Sequence, residues 1–143
     1  MDHKVFVDSS AWISYFVPSQ PHHQTFAELF AEIIVNHSSS FTSNDIIDET
    51  VTRITYDHGY HIAHRFIVHL QKSLFTKALT QLWTDRQIQS DAYKILDKYR
   101  DHKLSLTDAT SAALMRKNRI ATIFTLDSTH FSTLGFRPLP RNI

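Results

Sequence analysis

The sequence predicts an α/β fold: a single domain over residues 1–143, with a mostly parallel central sheet flanked by helices. Three observations predict it. Short β-branched and aromatic runs, which read as buried strands, alternate with longer segments of helical periodicity. No internal repeat, low-complexity tract or linker divides the chain. At 143 residues the chain is long enough to bury roughly two-thirds of its unfolded surface.

The elements follow in order. Lys4, Val5, Phe6 and Val7 make a short buried strand. Ser9 and Ser10 offer N-cap chemistry for a short helix carrying Trp12, Ile13 and Phe16. Pro18 and Pro21 punctuate the next turn. Residues 21–37 then place Phe26, Leu29, Phe30, Ile33 and Ile34 at helical spacing. Residues 39–42 make a second short strand. Ser43 or Asn44 caps a helix with Ile46, Ile47, Val51 and Ile54 inward, ending near Gly59. Residues 60–73 form another, with Ile62, Phe66, Ile67 and Leu70 in register. Residues 78–83 read as a strand, and Thr84 caps a helix bearing Ile88, Ala92, Ile95, Leu96 and Tyr99. The alanine-rich residues 106–118 suit a helix packed closely on the sheet. Residues 121–126 are the clearest strand. A marginal edge strand at 136–139 is interrupted by Pro138 and followed by Pro140.

Composition removes several classes of function. Two glycines allow no Walker loop and no dinucleotide fingerprint. The absence of cysteine removes disulfides, zinc fingers, iron–sulfur clusters and thiol nucleophiles, and fits a reducing compartment. No apolar run approaches the ~20 residues that span a bilayer, and the charged N-terminus passes straight into a strand, so no signal peptide is expected. A cytoplasmic protein is the expectation. The net charge of +1 makes no strong case for nucleic acid; ten histidines add positive charge only below about pH 6.5.

Four acids stand out by position. Asp8 ends the first strand, Glu49 lies early in the helix after the second, Asp108 lies in the first turn of a helix, and Asp127 follows the clearest strand. In a parallel sheet these places share the carboxyl edge, where ligands bind. Such carboxylates repel one another unless a cation sits among them. Hard oxygen donors suit Mg2+ or Mn2+, which can generate a hydroxide nucleophile and stabilise the leaving oxygen of a phosphodiester. Each acid also has an ordinary reading. Asp8 could cap the helix beginning at Ser9, Ser105 to Asp108 fits a capping box, Glu49 and Arg53 make an i,i+4 pair, and Asp127-Ser128-Thr129 is good turn chemistry. Capping alone gives no reason for all four to share one rim.

Four stretches carry a resemblance: Val5-Phe6-Val7-Asp8-Ser9-Ser10-Ala11, Thr42-Ser43-Asn44 running to Glu49, Leu104-Ser105-Leu106-Thr107-Asp108-Ala109, and Phe124-Thr125-Leu126-Asp127 with Phe131 soon after. From Val5 to about Pro140 the chain resembles PIN-domain proteins of the VapC-like toxin type. The resemblance implies a parallel sheet flanked by helices and a Mg2+- or Mn2+-dependent nuclease, usually cutting RNA. It places metal-binding and catalytic roles on Asp8, Glu49, Asp108 and Asp127, with Ser10 as a polar residue near the first acid. Toxins of this branch are commonly homodimers held inactive by a small antitoxin protein. Asp45 and Asp48 rival Glu49, and Asp45, one turn away, could share its face. Where the family often has a further acid or a histidine close before the phenylalanine, this chain reads Ser128-Thr129-His130-Phe131. That tail motivates an alternative, a non-catalytic interaction module of the same fold; another is an RNA-processing nuclease outside any toxin–antitoxin system. Aspartyl-phosphate chemistry does not fit, because Asp8-Ser9-Ser10 lacks the paired acid it needs.

Other residues weigh less. Arg53 and Lys103 lie nearest the rim and are candidate phosphate contacts. Arg116, Lys117 and Arg119 sit at the far end of the Asp108 helix, as dipole complementation favours. His58, His61 and His64 read as solvated or interface residues. Trp12, Tyr15, Phe16, Phe26 and Phe30 read either as core or as a patch for a partner protein.

Overall fold

The computed structural model describes residues 3–141. Five parallel strands form one sheet in the order β3-β2-β1-β4-β5. The strands are β1 (Lys4–Val7), β2 (Ser39–Ser43), β3 (Leu79–Leu82), β4 (Thr122–Phe124) and β5 (Arg137–Leu139). Seven α-helices connect them: α1 (Ser9–Phe16), α2 (His23–Val35), α3 (Asn44–His58), α4 (Tyr60–Phe75), α5 (Arg86–Lys98), α6 (Leu106–Lys117) and α7 (Ser128–Thr133). β1 is the central strand, and Val5, Phe6 and Val7 are wholly buried. From β1 the chain winds outward through β2 and β3, then returns to the other side for β4 and β5. The winding therefore reverses between β1 and β4, which pair with Val7 opposite Phe124. A crevice for ligands opens at the carboxyl ends of such a strand pair.

Local chemistry explains most boundaries, and it moves some of the expected ones. Ser43 caps α3, its Oγ accepting from Ile46 N at 3.1 Å. Asn44 instead accepts from Thr84 N at 2.9 Å, tying β2 to the end of β3. The cap of α5 is Asp85 and not Thr84: its carboxylate reaches Ile88 N at 2.9 Å. The first helix is capped by Asp8 itself and not by Ser9 or Ser10. Gly59 takes φ +90 between α3 and α4, a left-handed conformation that lets the chain double back at once. β4 covers only Thr122–Phe124 of the expected 121–126. Beyond it, side-chain hydroxyls take the backbone amides: Leu126 N donates to Ser10 Oγ and Asp127 N to Thr125 Oγ1, both at 2.9 Å. The segment after Asp127, expected as a turn, is the short helix α7. A turn of 3-10 helix, Arg100–His102, also went unforeseen.

β5 forms despite Pro138. Arg137 N donates to Ala121 O at 2.8 Å, and Leu139 O accepts from Thr125 N at 2.9 Å. Residues 137 and 139 thus face β4, and Pro138 turns its missing donor to the open edge. Most of the aromatics on α1 and α2 prove to be core. Trp12 lies 5.6 Å from Phe66 and 5.3 Å from Phe30, and Phe30 meets Phe124 edge-on at 5.5 Å. Ile34 does not face inward as its spacing suggested, since α2 buries only Phe26 and Ile33 fully and leaves Ile34 77% exposed. Arg116 reaches past its own helix end, donating to Leu134 O at 3.0 Å and lying over the Phe136 ring. No helix among the described residues is long and apolar enough to cross a membrane.

Candidate active site

Asp8 sits one residue beyond β1, at the winding reversal, and is 7% exposed. One carboxylate oxygen accepts from Ser9 N at 2.9 Å. The other accepts from Thr125 Oγ1 at 2.7 Å and lies 3.4 Å from Ser10 Oγ. Burial pushes this carboxyl from its ordinary 3.8 up to about 6. The Thr125 hydrogen bond pulls the other way, while the charges of Asp108 and Glu49 add to the rise. Thr125 is wholly buried. Because its oxygen both donates to Asp8 and accepts from Asp127 N, it fastens the two sides of the crevice together. Ser10 adds a second tie, from α1 to Leu126 N.

Asp108 enters from α6 through a complete capping box. Its Oδ2 accepts from Ser105 N at 3.2 Å, and Ser105 Oγ accepts from Asp108 N at 3.0 Å. Burial is the main force holding the Asp108 carboxyl above its usual range, and the neighbouring Asp127 charge reinforces it. Asp127 caps α7, with Oδ1 accepting from His130 N at 3.2 Å and Oδ2 lying 2.7 Å from His130 Nδ1. That nitrogen is also 3.9 Å from Asp108 Oδ2. The Asp127 hydrogen bond foremost raises His130 above the ordinary histidine range; burial opposes it, and the charges of Asp127 and Asp108 and a hydrogen bond to the His102 backbone add to the rise. Glu49, in the second turn of α3, points into the same crevice and lies 3.7 Å from Arg53.

A family model for the PIN domain matches residues 5–136. The chain belongs to the PIN domain family. It is similar to Ribonuclease VapC26 of Mycobacterium tuberculosis, with 26% identity covering 94% of this chain and 93% of that one. It is similar also to the 23S rRNA-specific endonuclease VapC20 of the same organism, at 27% identity over 92% and 95%. The crystal structure of VapC20, described as a Sarcin-Ricin loop cleaving toxin, superposes with a TM-score of 0.79, 24% identity and coverage of 92% and 95%. At that identity the superposition speaks for the fold, which is the parallel, helix-flanked PIN fold the sequence led us to expect.

Within this PIN fold the four acids named from the sequence line one crevice, together with Ser10 and Arg53. Asp45 and Asp48 do not line it; Asp48 is exposed, and Asp45 is half-buried one turn before Glu49. Lys103 is exposed in a left-handed turn before α6 and is also absent from the lining. Thr125 and His130 were given no role in the site by the sequence, although His130 stood in the tail noted after Asp127. Thr125 looked like an ordinary strand residue, and only its place two positions before Asp127 could have singled it out. His130 follows Asp127 by three residues, the spacing that brings two side chains together on one helical turn. The donor set suits a hard divalent cation. It is built of carboxylates, and the carboxyl of Asp8 is pushed up mainly by burial, with the charges of Asp108 and Glu49 adding to it, a cost of ionisation that such a cation would relieve.

Proposed function

We propose that this chain is a Mg2+- or Mn2+-dependent endoribonuclease that hydrolyses RNA phosphodiesters, and that it is the toxin of a toxin–antitoxin pair. The observation that carries the reading is the meeting of Asp8, Glu49, Asp108 and Asp127 at the winding reversal, with Asp8 buried and its carboxyl held up to about 6. The named activities of the VapC26 and VapC20 relatives support RNA as the substrate, and the description of VapC20 as a cleaving toxin supports the toxin role. Asp8, Glu49, Asp108 and Asp127 would hold the ion. When bound, such an ion supplies Lewis-acid charge for activating water and stabilising the leaving oxygen.

The chain's own residues do the rest. Thr125 and Ser10 hold Asp8 in place against β4. The N-termini of α1 and α6 open beside the crevice, where their amides and dipoles favour a phosphate anion. Arg53 lines the crevice next to Glu49 and is the cation best placed for the RNA backbone; Lys103 lies further out. The protein works in the cytoplasm as a homodimer, restrained by a small antitoxin protein. The test is cleavage of mixed structured RNA with Mn2+ or Mg2+ against a chelator control. Asp108→Asn retains a side chain able to accept from Ser105 N, so the variant should fold and lose metal-stimulated cleavage. Wild-type cleavage by a folded Asp108→Asn protein would overturn the mechanism.

A further inference from the structure

We propose that the basic groove between α5 and α6 is a second RNA contact, which holds the phosphate backbone of the substrate beyond the catalytic crevice. The inference rests on the reading of the chain as a ribonuclease. Its own support is a cluster of uncompensated charge. Lys94 and Lys98 from α5 and Arg116 and Lys117 from α6 line one groove of about 470 Å3. Ile95 and Ala113 form its buried floor, and the short Ala113 side chain leaves room between the helices. One acid, Asp91, lines the groove, and its carboxylate already accepts from Gln87 Nε2 at 2.9 Å. Among the described residues, none of the four cations makes an ion pair.

The whole chain carries a net charge of only +1, so this concentration is local. Like charges held together repel one another, and a polyanion lying in the groove relieves that repulsion. Helix dipoles explain part of the placement, since Lys98, Arg116 and Lys117 lie in the last turns of their helices. They explain neither Lys94 nor the convergence of cations from two helices on one groove. Arg116 is also fixed in place: it donates to Leu134 O at 3.0 Å, and its guanidinium lies 5.7 Å from the centre of the Phe136 ring.

The catalytic crevice has the opposite balance, four acids against Arg53. A phosphate chain enters it against the field of those acids, so attraction from elsewhere on the surface assists entry. α6 links the two places. Asp108 lies in its first turn and Arg116 eight residues later, ~12 Å along the axis. At ~3.4 Å of axis per nucleotide in a stacked strand, that is about three to four nucleotides. Contacts of this kind hold and orient the chain without reading its bases.

The test compares Lys94→Gln/Lys98→Gln/Lys117→Gln with a charge-matched control, Arg65→Gln/Lys72→Gln/Lys77→Gln, whose positions are exposed and outside the groove. Arg116 stays, because it also packs against Phe136. Binding of a short labelled unpaired RNA is followed by fluorescence anisotropy across a range of salt, in chelator so that the RNA stays intact. On a single strand each phosphate contact contributes ~0.7 to the slope of log affinity against log salt, so the groove variant should lose ~2 of that slope and bind about tenfold or more weakly at low salt. With Mn2+ its KM should rise by a similar factor while kcat is unchanged. A groove variant that binds and cleaves RNA as the control does would overturn the inference and leave the nuclease reading standing. A wild type that binds RNA through the groove yet cleaves none with Mn2+ or Mg2+ would instead overturn the nuclease reading and leave the groove as an RNA contact.

Discussion

Asp8→Asn should make the metal-free protein more stable at high pH. Asp8 is 7% exposed, and its carboxyl stands at about 6 against an ordinary 3.8. At ~1.4 kcal/mol for each tenfold change in proton affinity, ionised Asp8 costs the fold about 3 kcal/mol. The sign follows from the direction. A carboxyl raised in the folded state contributes stability that is fully present below 3.8 and lost as pH rises through about 6. Asparagine removes the charge but presents one oxygen where the aspartate presents two. It keeps the Ser9 amide bond and weakens the Thr125 contact, at about 1 kcal/mol. The net gain in chelator at pH 8 is then about 2 kcal/mol, or roughly 6 °C in Tm for a chain of this length. Near pH 4.5 most of the charge cost has gone and the two proteins should be about equally stable. Urea unfolding followed by circular dichroism across this range reads the effect directly. Saturating Mn2+ should reverse the order, because an ion at 100 times its Kd stabilises the wild type by about 2.7 kcal/mol. A metal-free variant that gains nothing on the wild type between pH 4.5 and pH 8 would refute the reasoning that Asp8 is a strained, cation-seeking carboxylate.

Two further predictions test the supports of the site. Thr125→Val deletes the hydroxyl that stabilises ionised Asp8, so the Asp8 carboxyl should titrate still higher in a carbon-detected NMR titration; an unchanged or lower midpoint would contradict the hydrogen bond. The same change strands Asp127 N and should cost about 1–3 kcal/mol in denaturant unfolding. Phe66→Ala removes a wholly buried ring that meets Trp12 and Phe16 edge-on, and should cost about 3–5 kcal/mol; a loss below about 1 kcal/mol would show that the α1–α4 junction is not part of the core.

Much of the architecture was legible in the linear chain because its signals are local. The apolar run at Val5-Phe6-Val7 and the helical spacing at Phe66 and Leu70 describe faces that the sheet and helices do bury. Legibility failed where a second segment decides. The cap of α5 passed from Thr84 to Asp85, whose carboxylate takes Ile88 N, while Asn44, forty positions away, holds Thr84 N. The end of β4 came two residues early because Ser10, from the first helix, captures Leu126 N. Ile34 carries the right spacing for burial, yet α2 presents a narrower face to the core than its apolar residues could fill.

The same division holds at the site. By itself the sequence determined the order of the main strands and helices and the four acids placed at strand ends and in the first two turns of helices, since residue type and spacing are properties of a single segment. It could also place Asp108 in its capping box, because every partner there lies within three residues. Only the tertiary structure decided that Glu49 and not Asp45 or Asp48 faces the crevice, that Thr125 joins Asp8 to Asp127, and that His130 stands beside both Asp108 and Asp127. Those facts depend on how far apart β1, β4 and the starts of α3, α6 and α7 come to rest. That spacing is set by the packing of the whole sheet and its helices, which no local pattern encodes.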